Sequence, residues 1–194
     1  GMRKATRSDM RHVAEIISHT FSNNPGVNWM LRQGGSHERK IRRLADHAFM
    51  KAFVRDGVFI SSNGKGVALC YRFNRRVLSI LAIYYELRFA LTSISLKHLP
   101  AVLRRESYRN KQRPASGEYL YFWFFGVLPG GDGAARELGK AMLKRSEKDN
   151  LPIYLETAME RNQQVYGRYG FTTYHYWEDK SGDVQFWFMR REPR

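Results

Sequence analysis

Apolar residues recur at helical spacing in four stretches of this chain. Residues 10–21 and 36–53 each place their apolar side chains on one face of a helix with a period of about 3.6 residues. Residues 76–113 follow the same period, and Pro100 is the expected boundary between two helices there. The fourth stretch predicts a long amphipathic helix from Ala134 to Asp149.

The remaining apolar segments are short and are bounded by glycine, proline and polar residues, which is typical of strands. Two of them flank residues 62–66 and predict a hairpin, and a second hairpin is expected around residues 179–183. Strands are expected at residues 3–5, 58–61, 67–73, 119–128, 153–157, 172–178 and 184–190. Since no internal repeat interrupts this order, we predict one α+β domain over residues 1–194, with residues 76–113 as a helical insertion before the central strand.

Composition favours a packed globular protein in a reducing compartment. The chain of 194 residues is 43% hydrophobic and 14% aromatic, which argues against disorder. Its single cysteine, Cys70, excludes an internal disulfide and is expected to be a buried structural thiol. The most apolar window, residues 77–96, contains Glu86 and Arg88 and is a poor membrane span, and no signal peptide is recognisable. We therefore expect a cytoplasmic protein that does not associate with membranes.

The formal net charge of +15 suggests an anionic partner. Much of this charge falls in two groups: Arg32, Arg39, Lys40, Arg42 and Arg43, then Lys97, Arg104, Arg105, Arg109, Lys111 and Arg113. A phosphate-bearing cofactor and a nucleic acid are both anions that such a surface attracts, and a solvated basic face without a partner is the alternative. Nucleic acid is the less favoured partner, but the charge keeps it open.

A glycine-rich turn after the central strand is the first candidate site. Residues 119–128 run into Pro129-Gly130-Gly131-Asp132-Gly133-Ala134-Ala135 and then into the helix. Unpaired backbone N–H groups and the positive end of the helix dipole converge at such a turn, so it is suited to binding phosphate. A plain strand-to-helix turn is the alternative reading.

Further along the chain, a second strand is followed by Asn162-x-x-x-Tyr166-x-x-Tyr169-Gly170-Phe171. This ordered set resembles the GCN5-related N-acetyltransferase (GNAT) superfamily, whose members transfer an acetyl group from acetyl-CoA to an amine. Four segments are similar to the subgroup that includes puromycin N-acetyltransferase: Leu155-Glu156-Thr157, Arg161-Asn162, Tyr166 to Phe171, and Trp187 to Arg191.

The resemblance implies α/β/α layers around a mixed, mostly antiparallel sheet, in which the fourth and fifth strands splay apart and admit the pantetheine arm of acetyl-CoA. Gly126 suits the bulge at which the splay starts. The cosubstrate would be acetyl-CoA, with no metal. The residues implied in its binding are Phe125, Gly126 and Val127 through their backbone, Gly130, Gly131, Asp132, Gly133, Ala134 and Ala135 at the pyrophosphate, and Asn162 and Tyr169 beside the pantetheine.

The pyrophosphate motif of the family, Q/R-x-x-G-x-G/A, fits this chain in two registers. One uses Gly130, Gly133 and Ala135. The other matches literally at Arg136, Gly139 and Ala141. Because the apolar face of the helix should already have begun by then, the literal match is expected inside the helix, and we take the first register.

By family position, Tyr166 is the general acid that protonates the departing thiolate, although a core tyrosine is the alternative. A backbone N–H near Val127 is the expected oxyanion donor. Glu156 is the first candidate for the general base, or else it makes a structural hydrogen bond. Glu118, His175 and an ordered water follow as candidates.

The expected function is transfer of acetyl from acetyl-CoA to a primary amine of a small molecule by direct attack. A peptide or protein N-acetyltransferase is one alternative, and a non-catalytic basic module that binds acyl-CoA or nucleic acid is another. The insertion, Phe21, Trp29 and the Arg39–Arg43 face are expected to border the acceptor pocket. Whether two copies form a homodimer stays open.

Overall fold

The computed structural model describes residues 1–194, in which helices cover both faces of one sheet. The helices are α1 (Met10–Phe21), α2 (Pro25–Met30), α3 (His37–Phe53), α4 (Ile80–Ser93), α5 (Leu99–Gln112), α6 (Ala134–Asp149) and α7 (Glu160–Arg168). The strands are β1 (Arg3–Lys4), β2 (Val58–Ile60), β3 (Gly66–Arg72), β4 (Leu120–Val127), β5 (Ile153–Thr157), β6 (Thr172–Glu178) and β7 (Gln185–Arg191).

Most element bounds agree with the sequence prediction, and α2 is the helix that the prediction missed. The segment Asn23 to Gly26 reads as a chain break, because proline and glycine stand next to each other. In the structure, the Asn24 side chain accepts a hydrogen bond from Val27 N at 3.0 Å and caps the helix, while Pro25 occupies its first turn. Proline is tolerated there because the first N–H groups of a helix have no partner within the helix.

The seven strands form one sheet in the order β1-β2-β3-β4-β5-β7-β6. Every neighbouring pair is antiparallel except β4 and β5, which are parallel. The expected mixed, mostly antiparallel sheet is therefore confirmed. It carries α1 and α3 on one face and α6 and α7 on the other.

The parallel pair β4 and β5 separates soon after it begins. The two strands are in register only at Leu120 opposite Ile153 and at Tyr121 opposite Tyr154, although both strands continue beyond these pairs. Past Tyr121, the β5-facing backbone of β4 has no partner strand. The predicted splay of the central strands is therefore present.

The bulge next to this splay lies at Trp123 rather than at Gly126. Leu69 of β3 is opposite Phe124 and Cys70 is opposite Phe122, so Trp123 is the extra residue on β4. Gly126 pairs regularly with β3 and is needed for another reason. A Cβ atom there would lie 2.7 Å from the Thr20 hydroxyl of α1, so only glycine allows this approach.

The only cysteine, Cys70, belongs to the hydrophobic core. Cys70 is free and fully buried, and burial raises the pKa of its thiol to about 12, so it is a structural thiol. None of the helices combines the length and the apolar character needed to cross a membrane.

The two helices of residues 76–113 differ in how they attach to the rest of the fold. Helix α4 packs on α3 through buried Phe89. Helix α5 has no buried residue of its own, and only its C-terminal cap, Arg113, is buried. Polar and cation–aromatic contacts therefore carry a large part of the attachment of α5.

Candidate functional site

The gap beside β4 forms a cleft of about 300 Å³ between β4, α6 and α7. This apolar cleft is lined by Phe122, Phe125, Ala135, Arg136, Gly139, Met142, Leu143, Ile153, Asn162, Val165, Tyr166, Tyr169 and Phe171. Ten of these thirteen residues are hydrophobic, so the cleft suits an apolar chain with few polar groups.

Free backbone donors lie at the end of the apolar cleft where α6 begins. Gly133 caps the helix with φ of 84°, a left-handed conformation that favours glycine. The N–H of Ala134 is bonded to Gly131 O at 3.0 Å, but the N–H groups of Ala135 and Arg136 have no acceptor in the protein. Two free N–H groups at the positive end of a sixteen-residue helix form an anion-binding geometry.

The predicted loop residues do not all face the cleft. Gly130 and Gly131 lie against Lys65 of the β2–β3 turn, where Lys65 Nζ donates to Gly130 O at 3.4 Å. Asp132 is exposed, and its carbonyl accepts from Asn63 Nδ2 at 3.4 Å. Of residues 130–135, Ala135 lines the cleft.

Four residues of α6 outside the predicted set also line the cleft, and two of them, Arg136 and Gly139, belong to the literal motif match. The helix begins at Ala134, so the literal motif match does lie inside the helix, as expected. A Cβ at Gly139 would nevertheless meet no atom within 4 Å, because this side of α6 faces the open cleft. The literal match was the signal that could have identified both residues.

The α7 side of the cleft carries the Asn and Tyr of the sequence motif. Asn162, Tyr166 and Tyr169 all line it, and Phe122 and Phe171 contact the Tyr166 ring edge-on, with centroids 6.4 and 5.6 Å away. The Tyr166 hydroxyl makes no hydrogen bond within the protein. Burial raises the pKa of Tyr166 to about 12, so the phenol keeps its proton at neutral pH.

Glu156 lies on the opposite face of the sheet, because side chains alternate along β5. It is 2% exposed, and its Oε1 accepts a hydrogen bond from the Tyr121 hydroxyl at 2.7 Å. Arg109 and Arg113 of the α5 region both lie 3.4 Å from the same oxygen. We call this group the Glu156 cluster: Glu156, Tyr121, Arg109, Arg113, Tyr119 and Tyr174. Tyr166 and Glu156 thus lie on either side of the splay, without contact.

The other two side chains considered as bases lie elsewhere. Glu118 precedes β4, is 65% exposed and pairs with Arg72 at 3.5 Å. His175 on β6 is hydrogen-bonded to the Tyr108 hydroxyl at 2.5 Å. Neither lines the apolar cleft.

A buried histidine next to the bulge was not identified from the sequence. His47 of α3 stacks on Phe89 at 5.9 Å and meets Trp123 edge-on at 6.2 Å, and its Nδ1 is buried without a partner. Burial, and then the nearby Lys51 charge, lower the pKa of His47 to about 4, so the ring is neutral at pH 7. One histidine among the polar and apolar positions of an amphipathic helix carries no sequence signal for this role.

The residues expected to border an acceptor pocket separate in the structure. Trp29 stacks on His98 at 4.8 Å, and the Arg105 guanidinium lies 3.8 Å from its ring centre. Phe21 packs on Phe124 with a centroid distance of 4.9 Å. The Arg39–Arg43 face lines a separate open groove between α1 and α3.

Several solved structures are similar to this chain in fold, although no family model matches it. A structure of histone acetyltransferase HPA2 and related acetyltransferase from Corynebacterium glutamicum is 19% identical, with a TM-score of 0.69 over 100% of this chain and 96% of that one. Arylalkylamine N-acetyltransferase 2 from Aedes aegypti is 15% identical, with a TM-score of 0.68 over 100% and 99%. A protein from Desulfovibrio desulfuricans assigned to the GNAT family is 12% identical, with a TM-score of 0.56 over 100% and 99%. The chain therefore has the fold of the GNAT acetyltransferases.

Proposed function

We propose that this chain is an acetyl-CoA-dependent N-acetyltransferase that acetylates the primary amine of a small molecule by direct attack. The observation that carries the proposal is the apolar cleft, which joins three features at one place: parted strands, free amides at a helix N-terminus and a protonated tyrosine. A fold likeness alone supplies no function, but this combination of groups suits acetyl transfer.

The residues of the cleft fit the parts of acetyl-CoA. The apolar walls suit its pantetheine arm, and the unpaired edge of β4 at Phe125, Gly126 and Val127 offers backbone partners as an added strand would. The amides of Ala135 and Arg136 suit the pyrophosphate, together with the turn of residues 130–134. Asn162 and Tyr169 would contact the pantetheine from α7.

When bound, the thioester supplies an electrophilic carbonyl carbon. Glu156, directly or through water, would accept the proton of the attacking amine on the other side of the splay. The new C–N bond then forms while the C–S bond breaks, and Tyr166 would give its proton to the sulfur. An N–H near Val127 would stabilise the oxyanion. The products are an N-acetylated amine and the free thiol. Solvent then takes the proton from Glu156 and returns one to Tyr166.

A small acceptor is favoured over a peptide because the Glu156 side of the splay is covered. Glu156 is 2% and Arg113 is 1% exposed, so the α5 region covers this carboxylate against an extended chain. The names of the similar structures include both an arylalkylamine and a histone acetyltransferase, so they support acetyl transfer without choosing the acceptor. The single buried thiol accords with a cytoplasmic site of action.

Calorimetric titration with acetyl-CoA tests the cofactor half of the proposal. We expect micromolar binding by the wild type and at least a tenfold loss in Ala135→Glu, because the new carboxylate would face the phosphates at the free amides. Ala135 is exposed, and a glutamate in the first turn favours the helix, so the variant should fold. Gln164→Glu adds the same charge on the exposed part of α7 and should bind as the wild type does.

Turnover of an amine panel by Tyr166→Phe tests the chemical half. Loss of a general acid should lower kcat about 100-fold while the affinity for acetyl-CoA stays within about twofold. Wild-type protein that does not bind acetyl-CoA would refute the proposal. Binding without turnover of any amine would favour the non-catalytic module instead.

A further inference from the structure

An unusual group of unpaired polar atoms surrounds Glu156. Tyr119 OH, Tyr174 OH, Glu156 Oε2, Arg109 Nε and Arg113 Nε are all buried and have no hydrogen-bond partner. Buried polar atoms are nearly always hydrogen-bonded in folded proteins, so five in one cluster need an explanation. A polar ligand that enters the cluster would satisfy them.

The charges around the cluster are unbalanced toward the positive. Arg109 and Arg113 face Glu156, and Arg109 also pairs with Glu106 at 3.3 Å. Glu106 is 48% exposed, so the two arginines face one buried carboxylate and leave one positive charge, and buried charge is costly unless it is compensated. A ligand with an anionic group would compensate it.

A second cleft at the surface meets this cluster at Arg109. It measures about 240 Å³ and lies between α5 and the β6–β7 hairpin. We call it the arginine cleft, and it is lined by Arg104, Arg105, Tyr108, Arg109, Trp177 and Phe186. Arg109 belongs to both places: it is 23% exposed toward the cleft, and its Nη2 lies 3.4 Å from Glu156.

The walls of the arginine cleft combine planar cations with aromatic rings. The Arg105 guanidinium lies 5.4 Å from the Trp177 ring centre, and that of Arg109 lies 5.2 Å from the Phe186 ring centre. Guanidinium groups bind carboxylates with two parallel hydrogen bonds, and aromatic walls bind an aromatic or apolar body. The same cleft therefore suits a small molecule with both parts.

We infer that the acceptor is an amine that also carries a carboxylate, in the manner of an aromatic amino acid, and that the arginine cleft binds it. Arg105 and Arg109 hold the carboxylate, Trp177 and Phe186 contact the side chain, and Glu156 faces the amine at the splay. This inference rests on the proposed acetyl transfer and names its substrate class. Arg109 is a specificity residue, because its charge selects the acid over the plain amine.

Paired acceptors that differ only in the carboxylate test this inference. Phenylalanine against 2-phenylethylamine and tyrosine against tyramine are compared by kcat/KM at fixed acetyl-CoA and 0.15 M salt. We expect at least a tenfold preference for the amino acid. Arg109→Gln should remove that preference by raising KM for the acid, and Arg109→Lys should restore part of it. Arg43→Gln, which removes one charge from the α3 face, should leave the preference unchanged.

Two further readouts separate the inference from the proposed function and from misfolding. Calorimetric titration of the wild type with phenylalanine, in the presence of coenzyme A, should show binding that Arg109→Gln weakens at least tenfold. If Arg109→Gln does not fold, Arg105→Gln takes its place, because Arg105 lines the cleft without touching Glu156. If the protein binds acetyl-CoA but turns over the plain amines as well as or better than the matched amino acids, the inference is overturned and the proposed function is not. A lack of acetyl-CoA binding overturns the proposed function first.

Discussion

The two sides of the splay between β4 and β5 are built in opposite ways. On the α6–α7 side lies the apolar cleft, which is open and holds one cation, Arg136, at its rim. On the α5 side lies the Glu156 cluster, which is buried and filled with charge. The same divergence of two strands therefore borders an open apolar cleft on one side and a buried, charged cluster on the other.

Because of this difference, we expect changes in the apolar cleft to affect ligand binding and changes in the Glu156 cluster to affect stability. Side chains that line an open cleft have few neighbours to lose, so changes there should alter ligand affinity more than folding. Side chains in a buried ionic network have neighbours whose charges depend on them, so changes there should destabilise the fold. Variants on the two sides should consequently differ in which measurement they affect.

The largest effect is expected from Glu156→Ala, which tests whether the α5 side is structural. Removal of the carboxylate leaves Arg113 buried without a carboxylate partner and takes from Arg109 one of its two carboxylate partners. Breaking a buried ion pair in this way costs about 3–5 kcal/mol, and we expect that loss in the free energy of unfolding from urea titration. Helix α5 should also become more accessible to protease.

The matched control for this prediction is Glu118→Ala, which removes a carboxylate from an exposed pair. Glu118 lies 3.5 Å from Arg72 and is 65% exposed, so the expected loss is about 1 kcal/mol or less. Equal losses in the two variants would mean that burial of the Glu156 cluster adds nothing, and the contrast between the two sides would fail.

A smaller effect, on the pH dependence of the free energy of unfolding, is expected at His47. This residue lies on the same side of the sheet as Glu156, and Lys51 and Glu106 are the charged groups near it. The pKa of His47 is lowered to about 4 by burial, whereas an unfolded histidine titrates near 6.5. Between these values the unfolded chain binds a proton that the folded chain does not, so stability falls as the pH falls from about 6.5 to 4. The contribution is about 2–3 kcal/mol.

His47→Phe should remove this part of the pH dependence, since the phenyl ring can stack on Phe89 without titrating. The measurement is the difference in unfolding free energy between pH 7 and pH 4.5, compared between variant and wild type. His19→Phe, at an exposed position of α1, is the control and should keep the wild-type dependence. A slope unchanged by His47→Phe would show that other groups cause the acid sensitivity.

The same contrast explains what the sequence could and could not predict. The unit from β4 to α7 is continuous in the chain, and its periodicity predicted α6 and β5 with their observed bounds. The glycine turn and the Asn–Tyr spacing could be recognised for the same reason. Local spacing rules describe such a unit well, because its parts are neighbours in sequence.

The Glu156 cluster joins side chains from four elements far apart in sequence, so no spacing rule connects them. Arg109 and Arg113 were counted with a basic surface, yet Arg113 is 1% exposed and faces a carboxylate. The bulge was assigned to Gly126 because glycine often marks one, while the actual bulge at Trp123 follows from strand pairing that only the tertiary structure defines.

The smallest effect, and the sharpest test of the open side, is expected from Gly139→Leu in α6. A Cβ at this position meets no atom within 4 Å, so the new side chain enters the apolar cleft without displacing the protein. Leucine also favours a helix over glycine by up to about 0.8 kcal/mol, so the unfolding free energy should stay the same or rise. Acetyl-CoA affinity should nevertheless fall about tenfold, or about 1.4 kcal/mol, because the side chain occupies the volume proposed for the pantetheine. Gly167→Leu on α7, where a Cβ also meets nothing and the residue does not line the cleft, should bind as the wild type does. A Gly139→Leu protein that is destabilised but still binds acetyl-CoA would reverse the division between the two sides, since the open cleft would then serve folding rather than the cofactor.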